Sequence, residues 1–450
     1  MNCKRFTALF LVLLLFLQFV PTMAFATIKP AVPYYVAIGD SIAGGYGLRG
    51  DSIQQLEADS LFLDNVVHNS AETCYPRLVA NAIAKATTGA DRASDRDFAN
   101  LGALGYAVTD FYYAFSETDP QKLANYVSPF WENVVPLMSA TLHPGQEINW
   151  ENYRWADDIV SEIKKADLIT FNVGANDVMQ PLWEKMTTHE NPLIMLMGYL
   201  LKLATLEVDL TKMDLGAAIK NIAASGAREI DLPKILSRIN ANTIGECLSF
   251  FDTKNLSSIM VESVNSIRET YGETLEKLKK INPHAKIVLV GTHNPYGNSS
   301  EYHGVNYTPE QIIRQLGKDL TDGVPGISCQ LWDGIQYVLL HDLLGKTAQP
   351  ALDILNDIVE KAADDYDLPF VYTMDKVENA ARIAVHPKEA QHEQIANAII
   401  DVLLPLITCD GHTGKMPFSV CGSLYWIVRA QRQLVKRLSA AYWLCLWHIK

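Results

Sequence analysis

The stretch "YYVAIGDSIAGGYGLRG", Tyr34–Gly50, decides the fold. It opens with the aromatic and β-branched run "YYVAIG", which predicts a strand that ends where a loop rich in glycine begins. Two motifs share that loop. "GYGLRG", Gly45–Gly50, fits the dinucleotide-binding pattern G-x-G-x-x-G, whereas "GDSI", Gly39–Ile42, puts Ser41 directly behind the strand. The first motif predicts a phosphate-binding loop and the second predicts a nucleophile.

The dinucleotide motif lacks the context that it needs. Its first glycine should lie where the strand ends and a helix should follow the loop at once. Here the strand ends near Ile38 or Gly39, about six residues before Gly45, and the segment after Gly50, "DSIQQLEADS", has no amphipathic helical pattern. We therefore interpret "GYGLRG" as a glycine-rich turn.

Strand and helix patterns alternate along the rest of the chain. The predicted strands are 34–39, 97–102, 167–174, 286–291 and 368–373, and the predicted helices are 74–86, 153–166, 258–280, about 350–363 and 390–404. Such alternation predicts a parallel sheet with helices on both faces, whose ligands bind beyond the carboxyl ends of the strands.

Three long stretches, roughly 112–152, 179–255 and 298–348, interrupt this alternation and are predicted to be helical insertions. The second contains a strongly apolar segment at 192–206. Two interpretations of that segment stay open, a helix buried in the core and a lid or acyl-binding wall over the site.

The first 26 residues have the layout of a secretory signal peptide. Lys4 and Arg5 precede an apolar run, Phe6–Val20, and "AFA" at 24–26 fits a cleavage site. We expect a secreted protein whose mature chain begins near Thr27, with an uncleaved membrane anchor as the alternative.

Composition narrows the class of partner. The chain is 48% hydrophobic, which fits an ordinary globular protein, and its net charge of -13 argues against nucleic acid as a partner. Six cysteines follow the signal segment without a C-x-x-C pair, and six cysteines allow 15 disulfide pairings. The histidines show no metal-ligand spacing, so we expect no metal and no cofactor.

The tail, residues 409–450, differs in charge from the rest. It carries six Lys or Arg residues and one acidic residue, a net charge of +5. A basic amphipathic helix that touches a membrane surface, a packed terminal helix, and a product of a shifted reading frame all remain open interpretations.

Four polar or glycine positions follow predicted strands or precede the last helix. Ser41 follows the first strand, Gly105 in "NLGALG" follows the second, Asn176 in "GAND" follows the third, and His386 in "HPKEAQHEQIA" lies before the last helix. A serine nucleophile needs a base, an oxyanion hole and exposure at a strand end, and these four residues supply the required groups.

These four blocks, in this order, resemble the SGNH (GDSL) hydrolase family, in its secreted bacterial form. The resemblance implies a three-layer α/β/α sandwich with a flavodoxin-like parallel sheet, covering residues 27–408 with the insertions named above. It also implies that Ser41 is the nucleophile and His386 the general base. The oxyanion hole would consist of the Ser41 N–H, the Gly105 N–H and the Asn176 side chain, and no cofactor is needed. Asp177 is expected to be structural and His392 a packing residue.

The last block departs from the family pattern. An aspartate usually lies three residues before the histidine, but that position is Ile383, whose side chain cannot orient an imidazole. Three possibilities stay open: Asp375 or Glu378 reaches back to His386, a backbone carbonyl replaces the acid, or the enzyme is slow or inactive.

The sequence thus predicts a secreted serine esterase or lipase that cleaves lipid or other acyl esters. Aromatic residues in 110–138 and the apolar segment at 192–206 favour an acyl site. The same aromatic residues would suit sugar rings, so an O-acetyl esterase acting on cell-wall or other polysaccharides is one alternative. A secreted binding protein that has lost catalysis is the other, because of Ile383.

Overall fold

The computed structural model describes residues 32–46, 48, 72–132, 159–205, 238–294, 307–321, 328–377 and 386–411. The predicted signal segment, the tail beyond residue 411, and Glu378 and Ile383 lie outside the described residues.

Five strands form one sheet. They are β1 (Tyr35–Gly39), β2 (Phe98–Gly102), β3 (Leu168–Asn172), β4 (Lys286–Val290) and β5 (Phe370–Val371). All pairings are parallel and the order across the sheet is β2-β1-β3-β4-β5. Because β1 lies between β2 and β3, the loops that follow these three strands emerge side by side at one edge.

The helices account for most of the remaining described residues. In chain order they are α1 (Ser41–Gly44), α2 (Tyr75–Thr88), α3 (Val108–Ser116), α4 (Pro120–Ala124), α5 (Ile159–Lys165), α6 (Ala175–Thr187), α7 (Pro192–Thr205), α8 (Ala241–Phe250), α9 (Thr253–Ser266), α10 (Arg268–Ile281), α11 (Pro309–Thr321), α12 (Cys329–Gly334), a π-helix (Ile335–Leu344), α13 (Gly345–Asp365) and α14 (Glu389–Gly411).

Both faces of the sheet are buried, as the parallel-sheet prediction requires. On β1, Val36 and Ile38 belong to one apolar cluster, and Tyr35 and Ala37 belong to a second cluster on the opposite face. Helices α3, α10 and α13 contribute to the first cluster, and α2 and α14 contribute to the second. The fold is therefore a three-layer α/β/α sandwich with a parallel sheet, as predicted.

The apolar segment predicted at 192–206 forms α7. Its side chains at Leu193, Met197, Leu200 and Leu201 are buried in the larger cluster. Gly198 lets this helix approach α6, since a Cβ there would lie 2.7 Å from Cβ of Met186. The interpretation as a core helix is confirmed for these side chains.

Two elements differ from the sequence prediction. The single helix expected over 258–280 is two helices, α9 and α10, which meet at Ile267. Ser263 and Ser266 donate to the carbonyls of Ile259 and Ser263, at 2.8 and 2.7 Å, and such side-chain bonds compete with regular helix geometry. The last strand was expected over 368–373, but only Phe370–Val371 pair in the sheet.

Candidate active site

The turn after β1 presents Ser41 at the carboxyl edge of the sheet. Asp40 caps the short helix α1, and its Oδ1 accepts a hydrogen bond from the Ile42 N–H at 2.9 Å. The chain turns so tightly that a Cβ at Gly39 would lie 2.5 Å from Cβ of Ala43. Gly45 then ends α1 with φ 72°. The glycines of this loop that the structure describes thus serve a tight strand-to-helix turn that starts at the serine.

His386 lies against this serine although 345 residues separate them in the chain. Its Nε2 is 3.1 Å from the Ser41 Oγ, and both side chains are buried. The Tyr46 ring contacts the imidazole edge to face, with centroids 4.5 Å apart and an interplanar angle of 68°. The contact between the hydroxyl and the imidazole is the one that a nucleophile and its general base require.

Gly105 lies in the loop after β2 with φ 78°, a conformation that favours glycine. A side chain would also find no room there, because a Cβ would lie 2.1 Å from Cδ1 of Phe130. The Gly105 carbonyl accepts a hydrogen bond from Nε2 of Gln180 in α6. Packing and hydrogen bonding together fix the orientation of this peptide unit.

Asn176 lies in the first turn of α6, directly after β3. Its Nδ2 donates to the Tyr106 carbonyl at 2.9 Å, so the side chain reaches the same loop that carries Gly105. An amide nitrogen has two hydrogens, and this bond uses one of them. The structure thus brings Asn176 and the Gly105 loop together, beside the strand that leads to Ser41.

Comparison with known proteins gives the family. The sequence matches the GDSL-like lipase/acylhydrolase family model over residues 35–399. The chain belongs to this family. Among solved structures, phospholipase A1 from Streptomyces albidoflavus NA297 is similar at 12% identity and a TM-score of 0.30, covering 83% of this chain and 100% of that chain. An extracellular lipase from Streptomyces rimosus is similar at 13% identity and a TM-score of 0.31, covering 82% and 98%. No curated protein sequence matches significantly.

Two buried carboxyl groups hold the Gly105 loop of this GDSL-family hydrolase. Both oxygens of Asp177 accept from the Val108 N–H, at 3.2 and 3.0 Å. Asp110 accepts from the Ala107 N–H through Oδ2, at 2.6 Å, and from the hydroxyl of Tyr126 through Oδ1, also at 2.6 Å. Asp177 therefore has a structural role at the start of α3, as predicted.

Burial perturbs the carboxyl groups around this loop. Desolvation raises the pKa of Asp177 to about 7, against an ordinary value of 3.8. Desolvation likewise raises the pKa of Asp40 to about 7. The pKa of Asp110 is also raised by burial. These carboxyl groups accept backbone hydrogen bonds and so hold the loops in place. We therefore interpret their raised pKa values as a result of burial in a structural role.

His392, six residues after the base, has a different task. Its Nδ1 accepts from the Tyr75 N–H at 3.1 Å, at the first residue of α2. Burial lowers its pKa to about 3, so the ring stays neutral and acts as a hydrogen-bond acceptor for that helix end. It is a packing residue, as predicted, and its hydrogen bond at the start of α2 is an additional role.

Of the two carboxyl groups predicted as partners of the imidazole, Asp375 lies among the described residues and Glu378 does not. Asp375 is exposed and, among the described residues, makes no hydrogen bond or ion pair with His386. The structure therefore gives no support to Asp375 as the acid, and the choice among the remaining alternatives stays a prediction.

Sequence reasoning missed two residues that contact the site, Tyr46 and Phe130, and a buried polar residue that follows β4, His293. His293 follows β4 as Ser41 follows β1, and it is 7% exposed. The signal was present, because a polar residue directly behind a buried parallel strand lies at the ligand-binding edge. Tyr46 and Phe130 carried no such signal, since their contacts with His386 and Gly105 depend on tertiary packing.

The described residues contain no group of three or more His, Cys, Asp or Glu side chains that could hold a metal ion. None of the described helices is both long and apolar enough to cross a membrane.

Proposed function

We propose that this protein is a secreted serine ester hydrolase that cleaves carboxylic esters, above all lipid or acyl esters, through an acyl-serine intermediate. The observation that carries the proposal is the contact of 3.1 Å between the Ser41 Oγ and the His386 Nε2 at the carboxyl edge of the sheet. That edge is where parallel α/β sheets bind their ligands.

In the first half of the reaction, His386 accepts the proton of the Ser41 hydroxyl while Oγ attacks the ester carbonyl. The negative charge that develops on the carbonyl oxygen is stabilised by the N–H groups of Ser41 and Gly105 and by the Asn176 side chain. The tetrahedral intermediate collapses, the ester C–O bond breaks, and His386 gives its proton to the leaving alcohol.

In the second half, water attacks the acyl-serine. His386 accepts a proton from that water, and the same three donors stabilise the second oxyanion. The carboxylic acid leaves and the proton returns to the Ser41 Oγ. The Tyr46 ring against the imidazole supports the orientation of the base through both steps.

The aromatic side chains around Gly105 are packed inside the protein. Phe130 packs directly on Gly105, and Nζ of Lys202, in α7, lies 5.8 Å from the centroid of the Phe130 ring. The aromatic side chains at 110–131 are largely used for packing, since Phe111, Phe115 and Trp131 are buried. These buried rings therefore offer no stacking surface for sugars, on which the polysaccharide O-acetyl esterase alternative depends.

Hydrolysis of p-nitrophenyl esters from acetate to palmitate tests the proposal. We expect Ser41→Ala and His386→Ala each to lower kcat by at least about 10³-fold, as losses of triad members do. Ser258→Ala, which changes an exposed serine of α9, is the matched control and should retain full activity. A rise of kcat/KM with chain length would favour a lipase over a deacetylase.

Covalent labelling tests the intermediate directly. A fluorophosphonate should add once to the mature protein, at Ser41, and should fail to add to the Ser41→Ala variant. An unlabelled protein with no ester hydrolysis would contradict the enzyme proposal and favour the binding protein. Sequencing the amino terminus of the exported protein tests the proposed cleavage near Ala26.

A further inference from the structure

The residues directly after β2, Ala103–Tyr106, form the turn that carries the Gly105 donor. The Tyr106 N–H donates to the Ala103 carbonyl at 3.2 Å, and Gly105, the third residue of the turn, has φ 78°. A positive φ at the third position is what a type II β-turn requires, and the hydrogen bond of such a turn does not use the N–H of that residue. The turn therefore leaves the Gly105 N–H available to a ligand.

Helix α6 binds this turn through two amide side chains. Asn176 and Gln180 lie four residues apart, so they share one face of the helix. Nδ2 of Asn176 donates to the Tyr106 carbonyl at 2.9 Å, and Nε2 of Gln180 donates to the Gly105 carbonyl. One hydrogen bond would let the turn pivot about its acceptor. Two bonds to consecutive carbonyls fix the orientation of the turn relative to the helix.

The relative placement of turn and helix matters because each supplies one donor to the proposed oxyanion hole. Both donors must lie about 2.7–3.1 Å from the same oxygen, so a small rotation of the turn would misplace one of them. Asn176 must give its second amide hydrogen to that oxygen, and its bond to the Tyr106 carbonyl is therefore not an independent support. Gln180 is half-buried one helical turn further along α6 and serves only the turn in this arrangement.

We propose that Gln180 is a positioning residue for ester hydrolysis: by holding the Gly105 carbonyl against α6, it keeps the Gly105 N–H and the Asn176 side chain directed at one oxyanion. This inference rests on the proposed function. Gln180 acts through the turn and does not touch the substrate. It should therefore contribute to binding of the transition state and not to binding of the ester in its ground state.

The first test is Gln180→Met, which keeps the approximate length of the side chain and removes the donor. On p-nitrophenyl butyrate we expect kcat to fall by roughly 3- to 10-fold, the range for one lost hydrogen bond, at unchanged KM. A purely structural role would change the urea unfolding curve and leave both kinetic constants as in the wild type.

Inhibition by 1-butaneboronic acid gives a second measure of the oxyanion hole. The Ser41 Oγ adds to boron, His386 takes the hydroxyl proton, and the tetrahedral boronate anion that results resembles the intermediate of ester hydrolysis. In Gln180→Met the inhibition constant should rise by the same factor by which kcat falls, because both report the placement of the donors.

A second variant and a control complete the test. Gln180→Asn keeps the amide on a side chain that is one methylene shorter, so it should lose kcat as Gln180→Met does, and it replaces that variant if the methionine protein does not fold. Gln315→Met removes an amide bond to Asp319 at an exposed site of α11. This control should match the wild type in kcat, KM and the inhibition constant.

Unchanged kcat and inhibition constants in the Gln180 variants, or a higher KM at constant kcat, would overturn the role of Gln180. Labelling of Ser41 and ester hydrolysis by the wild type would in that case still support the enzyme. A wild type that hydrolyses no ester and is not labelled would overturn both proposals.

Discussion

The two sides of the site are held by different means. On the side of β1, β2 and β3, the Gly105 loop is tied down by Asp177, Asp110 and Asn176 and is packed against Phe130. On the side of β5, Phe370 and Val371 pair in the sheet, and the contacts of His386 include a hydrogen bond to Ser41 and a ring contact with Tyr46. The first side is fixed by buried carboxyl and amide groups around one loop, whereas the base is placed by contacts with residues more than 300 positions away in the chain.

This difference has a physical meaning for catalysis. Oxyanion donors stabilise a transition state only if they are already in place, because reorganising dipoles during the reaction would cancel their benefit. A base must change its hydrogen-bond partner twice in each cycle, from serine to alcohol and from water to serine. We therefore expect substitutions on the first side to affect stability and kcat together, and substitutions on the second side to affect mainly kcat.

The largest combined effect on stability and activity is expected for Gly105→Ala. Its φ of 78° is strained for alanine by about 1–2 kcal/mol, and overpacking against Phe130 adds about 1–3 kcal/mol. We expect urea unfolding to show a loss of about 2–5 kcal/mol, and kcat to fall by about 10²-fold because the donor is displaced.

The control for this variant is Gly89→Ala. Gly89 has a similar φ of 77° but no atom within 4 Å of a Cβ, so it reports the backbone strain without the clash. Its cost should be only about 1–2 kcal/mol, with normal activity. Equal losses of stability in the two variants would show that the contact with Phe130 is unimportant.

Asn176→Ala should remove one oxyanion donor. We expect kcat to fall by about 10²–10³-fold with little change in KM, as is typical when such a donor is lost. Loss of the bond to the Tyr106 carbonyl should lower stability by only about 1 kcal/mol. Asn125→Ala removes a similar amide-to-carbonyl bond at an exposed site and should leave kcat unchanged. A rise in KM at constant kcat would contradict the assignment of Asn176 to the oxyanion hole.

On the other side of the site, Tyr46→Leu should mainly affect the base. It removes the ring that lies 4.5 Å from the imidazole, an aromatic contact worth about 0.5–1.5 kcal/mol. We expect kcat to fall by roughly 3- to 10-fold, measured with p-nitrophenyl butyrate. Tyr46→Phe keeps the ring and should remain close to wild type. If Tyr46→Phe loses as much as Tyr46→Leu, the hydroxyl and not the ring supports the site.

The same contrast explains how much the sequence could predict. Strand periodicity located β1 to β4, and the polar residues behind β1 and β3 were found because such positions lie at a ligand-binding edge. The division of 258–280 at Ile267 depends on serine side-chain bonds that periodicity does not register. The group that would orient His386 could not be predicted from the sequence for another reason. Ile383 occupies the position of the usual aspartate, and any other residue that takes over its role must be brought to His386 by tertiary folding. Contacts between residues distant in sequence, such as that of Phe130 with Gly105, give no signal in the local sequence pattern.

The smallest effect on activity is expected for Asp177→Asn, whose consequence appears in the pH dependence of stability. The folded-state pKa of Asp177 is about 7 and its ordinary value is 3.8, so between these values the folded protein binds a proton that the unfolded chain has released. Stability from this group is fully present below about pH 4 and is lost as pH rises towards 7. Asparagine does not titrate, yet it can still accept from the Val108 N–H.

Urea unfolding of wild type and Asp177→Asn at pH 5, 6 and 7 measures the contribution of Asp177 to the pH dependence of stability. In the wild type, the contributions of Asp40 and Asp177 both fall with rising pH, since both pKa values are raised. The variant lacks the contribution of Asp177 and keeps those of all other groups, so the slope of stability against pH should become less negative by up to one proton, about 1.4 kcal/mol per pH unit. Identical slopes would mean that Asp177 is ionised in the fold over this range. Asp177 would then carry a permanent negative charge beside the site where the oxyanion forms. The carboxylate that supports the Gly105 loop would in that case weaken the stabilisation of the oxyanion that the loop provides.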